Sequence, residues 1–276
     1  MVGFPATPEV TPGATPEAVP AVVPRPVGFP GCLHCPYRRA GDPAVCLRCF
    51  ERSAARNRHP APVVRCGACG GPRSSRRPCP NPLCARADRG WSAVYALGTH
   101  EAALRRSIAS YKYRGERWWS GVFSLLLAGY LTAHPTWFEE YDLVIPMPAY
   151  HGKGARRGWD PVGSVFVDMV ALIGGEWDCD DHVIVKTIET PPMSGRSRRE
   201  RVALAEGVLR PALVVPDRRR VAGSRILVID DVLTEGSSLR AVAGVLRAAG
   251  AEEVAGLVLA RRCWDAPTPS PHQRSL

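Results

Sequence analysis

Residues 225–239 read RILVIDDVLTEGSSL, and this stretch, taken with residues 240–260, leaves the chain little choice of fold. Residues 226–229 are a continuous apolar run, the pattern of a strand covered on both faces. After Ser238, the residues Leu239, Val242, Val245, Leu246 and Ala249 recur at helical spacing, and 254–260 is a second apolar run. Strand, loop, helix and strand in that order make a parallel crossover unit. Asp230 and Asp231 then fall at the carboxyl end of a central parallel strand, where open α/β sheets bind their ligands. Residues 234–238 open the helix, whose first amides and positive dipole end suit a phosphate. Gly236 permits close backbone approach, and the hydroxyls of Thr234, Ser237 and Ser238 add donors. The two carboxylates suit sugar hydroxyls, directly or through a hydrated Mg²⁺. A solvated strand end with a helix cap would use similar residues, but the apolar strand before the loop and the helix after it favour a ligand site.

The rest of the carboxyl-terminal two thirds keeps the same alternation. A further apolar run at 143–145 reads as a strand, helices are expected over 101–111, 118–133 and 162–172, and 182–187 adds a short strand. A chain of 276 residues with a hydrophobic fraction of 45% can bury a substantial core. No apolar run is long enough for a membrane helix, so no membrane insertion is expected. The first thirty residues are rich in proline and lack the basic start and continuous apolar stretch of a secretory signal, which implies a disordered arm and a cytoplasmic location.

Between residues 31 and 90 the character changes. This segment holds 12 arginines against 3 acids, most of the chain's net charge of +10. A compositionally biased, solvated surface and a cationic face for nucleic-acid phosphates both fit that surplus. Eight of the ten cysteines lie here in four close pairs: Cys32 with Cys35, Cys46 with Cys49, Cys66 with Cys69, and Cys79 with Cys84. Two thiolates two residues apart can reach one Zn²⁺ from a tight turn, and two such turns complete a tetrahedron of sulfurs. Eight ligands make two structural zinc sites, filled in sequence or interleaved. Disulfides are the alternative, disfavoured in a reducing compartment. Few large apolar residues lie in the segment, so metal would supply much of its fold. His34 reads as a bystander, and Cys179 and Cys263 as buried thiols.

The motif at 225–239 resembles the phosphoribosyl pyrophosphate (PRPP) signature of type I phosphoribosyltransferases. From Cys32 to about Arg262 the chain resembles the ComF family more closely, through YKYRGE around Lys112, VIPMP at 144–148, RRG at 156–158 and TPPMSGRSRRER at 190–201, in the family's order. The resemblance implies a type I phosphoribosyltransferase-like parallel sheet flanked by helices over 91–265. It places a cysteine-rich zinc module at 31–90, between the arm at 1–30 and that domain, and leaves a short disordered tail at 266–276. Asp230 and Asp231 would bind the ribose hydroxyls of PRPP, Thr234, Glu235, Gly236, Ser237 and Ser238 would hold its 5′-phosphate, and Lys153, Arg156 and Arg157 would face the pyrophosphate with Mg²⁺. Lys112 joins them as a cation beside a polyanion, whereas Arg198, Arg199 and Arg201 read equally well as the polar side of a helix.

The chain departs from the family in several places. Gly158, Trp159, Asp160 and Pro161 stand where the family usually has Gly-Phe-Asn-Gln, and Met193 and Leu204 stand where it commonly has glutamine and asparagine. Glu235 adds a negative charge to the phosphate loop, and a carboxylate turned into it would oppose binding. The resemblance implies a PRPP-binding protein that handles single-stranded DNA during uptake and recombination, alongside proteins of those processes. An active phosphoribosyltransferase of nucleotide metabolism and a PRPP-responsive regulator are the alternatives, because fold alone does not establish chemistry.

Overall fold

The computed structural model describes residues 66–71, 78–100, 102–132, 134–153, 155, 158–175 and 177–262. The arm at 1–30, the cysteines at 32, 35, 46 and 49, Arg156, Arg157, Cys263 and the tail at 266–276 lie outside the described residues.

Four parallel strands form the sheet. They are β1 (Val94–Thr99), β2 (Leu143–Pro146), β5 (Arg225–Leu233) and β6 (Glu253–Arg261), in the order β1-β6-β5-β2. Two short strands, β3 (Val185–Lys186) and β4 (Leu213–Val214), pair antiparallel in a separate ribbon. The apolar run expected over 182–187 therefore supplies only two strand residues, and they join this ribbon instead of the sheet. β1 was not legible in the sequence: its YALGT alternates small and large residues and lacks the β-branched run that marks β5.

The sheet is covered on both faces, which is why its strands read as unbroken apolar runs. Helix α1 (Ala102–Tyr113), α2 (Trp119–Thr132) and α3 (Pro161–Ile173) cover one face, where Leu227, Ile229 and Leu257 meet Phe123, Leu127, Phe166 and Met169. On the other, Ile226, Val228 and Val258 meet Leu239, Val242 and Leu246 of α5 (Ser237–Ala249). A helix α4 (Arg198–Leu204) begins at Ser197 with a reciprocal cap to Glu200, which satisfies two amides of its first turn. Helix α5 ends on Gly250, whose left-handed φ of 110° lets its amide return to the carbonyls of Leu246 and Arg247.

The described cysteines do not form a separate body. Cys66 and Cys69 share one core with Leu83, Trp91, Val94 and Leu239. The indole Nε1 of Trp91 donates to the carbonyl of Ala68 at 2.7 Å, tying the first cysteine turn to the start of the sheet. Gly90 thus marks a change of composition and not a gap in the packing.

Leu227 is fully buried in the strand that pairs on both sides. Leu227→Ala should lower the unfolding free energy by about 2–5 kcal/mol through lost transfer energy and the cavity left behind. Leu125→Ala, at an exposed site on α2, should change it by no more than about 0.5 kcal/mol. Urea titration of both variants checks the assignment of β5 as the centre of the sheet.

Candidate functional site

Asp230 and Asp231 are brought to the carboxyl-terminal end of the sheet, though β5 runs on to Leu233 and pairs with β6 through Val232 and Leu233. The two side chains point to opposite faces of a strand, yet they remain electrostatically linked. Burial first, and then the neighbouring Asp231 carboxylate, hold Asp230 well above the ordinary carboxylate range. Its Oδ1 accepts from the amide of Asp231 at 2.8 Å. Asp231 is 7% exposed, and its Oδ2, which has no well-directed hydrogen bond, is matched instead as an ion pair by the Lys112 ammonium from α1. Burial works against that ammonium, but Asp231 and Asp230 outweigh it and raise the lysine's pKa. His100, just past β1, lies in the same field: burial and then Arg105 lower its pKa, while Asp231 pulls the other way.

The loop after β5 shows where the charge of Glu235 goes. Its carboxylate is turned inward and has no exposed surface. The Arg201 guanidinium of α4 grips both oxygens, Nε at 2.8 and 2.9 Å and Nη2 at 2.6 Å, and the Ser237 hydroxyl donates to Oε1 at 2.9 Å. Burial alone would raise the Glu235 pKa, but these partners prevail and hold it below its ordinary value. Arg201 also donates to the carbonyl of Arg196, leaving it a structural anchor instead of one more charge on a polar helix face. The Glu235 carboxylate is thus engaged on the inside of the loop, and the Ser237 proton is committed to it. Thr234 and Ser238 remain partly exposed, and Gly236 takes a left-handed φ of 101° at the head of α5. A Cβ there would lie 2.9 Å from the Trp91 ring, so glycine is required both by conformation and by space.

Across from this loop, the chain leaves β2 through Met147, whose amide donates to the carbonyl of Ile229 at 2.8 Å. Lys153, in the loop after β2, is exposed. The unusual Gly158-Trp159-Asp160-Pro161 segment is a helix start: Asp160 Oδ1 accepts from the amide of Val162 at 3.0 Å, and Pro161 occupies the first position of α3, where no amide is needed. Burial, the largest influence, raises the Asp160 carboxyl, with amides of α3 and His151 opposing. Trp159 packs edge-on against Tyr111, ring centroids 4.8 Å apart, and carries the Arg117 guanidinium over its face at 5.2 Å. A cavity of about 840 Å³ opens here, lined among others by Met147, Tyr150, Trp159, Asp160 and Lys186. Met193, at the family's glutamine position, is partly buried against the α5 side of the core.

Cys66, Cys69, Cys79 and Cys84 converge, with their sulfurs all within 4.8 Å of one another and those of Cys69 and Cys79 3.6 Å apart. Zinc–thiolate bonds of about 2.3 Å in a tetrahedron put sulfurs about 3.8 Å apart, so the donor set fits, and these four residues could hold a metal ion. Contacts from Cys69 and Cys84 push the Cys66 thiol strongly down, and burial pushes Cys79 up to about 11, the behaviour of sulfurs crowded around shared protons. Burial likewise raises Cys179 to about 11, which keeps it an inert thiol.

Four residues that meet the site were not singled out from the sequence: His100, Asn81, Trp91 and Arg261. Asn81 is fully buried and donates through Nδ2 to the carbonyl of Glu235 at 2.9 Å. Arg261 is 3% exposed and donates through Nη2 to the Cys69 sulfur at 2.9 Å and through Nη1 to the carbonyl of Thr234 at 3.1 Å. Only Arg261 left a local signal, a charge closing a wholly apolar strand. The partners of the others lie up to 154 positions away in the chain.

A four-stranded parallel sheet, a carboxylate pair at the end of β5 and a helix-opening loop beside it define a phosphoribosyltransferase-fold domain, and residues 183–270 match the phosphoribosyl transferase domain family. The chain is also similar to Competence protein F of Haemophilus influenzae, 24% identical over 204 residues that cover 71% of this chain and 84% of that protein. That similarity, with the cysteine cluster beside the domain, agrees with the resemblance to the ComF family carried by the sequence motifs. Solved structures with local similarity include the allosteric regulatory enzyme of purine biosynthesis, 20% identical over 43% of this chain but only 22% of that one, TM-score 0.26. Another is a hypoxanthine phosphoribosyltransferase of Staphylococcus aureus, 13% identical over 54% and 69% of the two chains, TM-score 0.32.

Arg201→Ala should destabilise the chain by about 3–5 kcal/mol, because it leaves the Glu235 carboxylate buried without its counter-charge. Since the folded carboxyl is lowered below its usual 4.5, its contribution is complete above that pH and is lost as pH falls through the folded value. Glu235→Gln should therefore show a shallower loss of stability on acidification than the parent. Parallel acid limbs in urea unfolding at stepped pH would exclude the ion pair as the source.

Proposed function

We propose that the chain binds PRPP with Mg²⁺ at the end of β5 and acts in the handling of single-stranded DNA during uptake and recombination, with Zn²⁺ held by its cysteines as a structural ion. The single observation that carries the ligand reading is the juxtaposition of the Asp230–Asp231 pair with a glycine-led helix start whose one acidic side chain is turned away and neutralised. Amides of a helix's first turn have no carbonyl one turn back and favour an anion. Asp230 and Asp231 would take the ribose hydroxyls, and Thr234, Ser238 and the amides at 235–238 the 5′-phosphate. Lys112, now paired with Asp231, lies close enough to share its charge with a polyanion. Lys153, Arg156 and Arg157, between β2 and α3 in the chain, would face the pyrophosphate, and Mg²⁺ would supply further neutralisation of its charge. Bound PRPP should raise the melting temperature, by the equivalent of about 2.7 kcal/mol at a hundredfold excess over its Kd. Asp230→Asn with Asp231→Asn should remove the rise, and an undiminished shift in that double variant would put the ligand elsewhere.

The DNA role is supported by the arginine surplus at 31–90 and by the name of the Haemophilus relative, which ties that protein to competence. Truncation at Gly90 is unsuitable as a test, since it would strip Cys66, Cys69 and Leu83 from a shared core. Alanine at Arg73, Arg76 and Arg77 in the full chain should instead lower both the affinity for a labelled single strand and its salt dependence, while PRPP binding survives. Anisotropy titrations at several salt concentrations read this directly. Identical, salt-insensitive curves for parent and variant would assign the charge to composition.

A second reading, transfer of the phosphoribosyl group to an acceptor, is favoured by the 840 Å³ cavity lined by Trp159 and by Asp160, whose charge is felt at Asp230; it is roomy enough for a planar base beside Trp159. No protein nucleophile is needed for that reaction. Pyrophosphate release dependent on an added nitrogen acceptor would distinguish turnover from binding alone.

A further inference from the structure

The backbone of residues 234–236 is held from behind by the cysteine cluster. Arg261 bridges the Cys69 sulfur and the carbonyl of Thr234, at 2.9 and 3.1 Å. Asn81, between Cys79 and Cys84, takes the next carbonyl, that of Glu235, at 2.9 Å, while its own Oδ1 accepts from the amide of Leu83 at 3.1 Å. Trp91, anchored to Ala68 between Cys66 and Cys69, closes over Gly236. Gly71, two residues after Cys69, leaves the space the guanidinium needs: a Cβ there would fall 2.9 Å from Nη2 of Arg261. Three consecutive residues of the loop are thus each fixed by a residue of the cysteine module or by a residue bonded to it.

Peptide planarity carries this restraint through to the amides. In a trans peptide the carbonyl of one residue and the amide of the next point in opposite directions. Turning the carbonyls of Thr234 and Glu235 toward the cluster therefore turns the amides of Glu235 and Gly236 away from it; the Glu235 amide meets its own carboxylate, and the Gly236 amide is the one this restraint offers to an anion. A thiolate on a metal is a charged acceptor for Arg261, and charge-assisted bonds of this kind are about twice as strong as neutral ones. Without the metal, four crowded sulfurs must share protons or separate, and the anchor of Arg261 moves with them.

We propose that the Cys66–Cys69–Cys79–Cys84 metal site is a positioning element for the anion loop, acting through Arg261 and Asn81, so that metal occupancy and ligand affinity are thermodynamically linked. This rests on the reading of 234–238 as a phosphate site. Arg261 and Asn81 are positioning residues: they face the loop's carbonyls and would not touch the ligand. Linkage is reciprocal, so whatever factor the metal adds to ligand affinity, the ligand adds to metal affinity.

The test uses the full chain loaded with zinc, with PRPP and Mg²⁺ as the probe. Arg261→Met should keep its zinc by elemental analysis and its cooperative unfolding, yet bind PRPP roughly tenfold or more weakly, the range seen when groups behind a ligand shell are removed. Arg261→Lys, which keeps one donor, should recover part of that loss, and this covers the case in which the methionine variant fails to fold. Saturating PRPP should slow zinc transfer to a coloured chelator in the parent but much less in Arg261→Met. Hydrogen exchange of the amides at 234–238 should accelerate on zinc removal even with no ligand present. If the parent binds no PRPP, the functional reading falls while the exchange measurement still decides the coupling. If PRPP binds but with the same affinity in Arg261→Met and in zinc-depleted, folded protein, or if loop exchange ignores the metal, the coupling is wrong and the ligand reading stands.

Discussion

Two carboxylates placed side by side at the end of a buried strand cannot both remain charged without help, and much of the architecture around β5 supplies that help. Asp230 is pushed above the ordinary carboxylate range by burial and by Asp231, while Lys112 reaches in from α1 to pair with Asp231. That pairing links the position of α1 to the site, and α1 is in turn fixed by Tyr111, whose hydroxyl donates to the carbonyl of Pro161 at 2.8 Å and whose ring meets Trp159. The start of α3 and the loop after β2 are therefore tied to the same carboxylates. The ligand proposed here, which brings its own cations and hydroxyls, would relieve a charge repulsion already present.

The loop beside the carboxylates shows how a residue that looks wrong for a phosphate site can be accommodated in the site proposed here. Glu235 is the only acid among residues 234–238, and its charge is consumed on the inside by Arg201 and Ser237. A buried pair of this kind adds little net stability over apolar packing, but it is costly to break from one side, and it selects one orientation of the backbone. Arg201, Arg261 and Asn81 approach the loop from different elements, and together they fix its peptide planes. The surface proposed to face the ligand is left to amides, the hydroxyls of Thr234 and Ser238, and a glycine.

The cysteine module has a different relation to the domain than its composition implies. An arginine-rich, cysteine-rich segment with few large apolar residues reads as an appendage, yet Cys66, Cys69, Leu83 and Trp91 belong to the same apolar cluster as α5. The physical reason is that a small cysteine turn has one apolar side to cover, and the α5 face of the sheet, next to β1, offers the matching surface. The described part of the segment is thus built into the core of the phosphoribosyltransferase-fold domain.

The sequence by itself determined the parallel crossover β5-α5-β6, because apolar runs flanking a helical period admit few other arrangements, and it placed Asp230, Asp231, Gly236 and the cysteine pairs, whose chemistry depends on neighbours within a few residues. It also carried three helices to within a residue or two. β1 escaped because its alternation is weak, and β4 because two residues of a ribbon carry almost no pattern. Only the tertiary structure decided the direction of the Glu235 side chain, the pairing of Lys112 with Asp231, the grouping of Cys66, Cys69, Cys79 and Cys84, and the roles of Asn81, Trp91 and Arg261. Those depend on contacts between residues from about 10 to more than 190 positions apart. No local periodicity records such contacts, and packing alone brings the partners together.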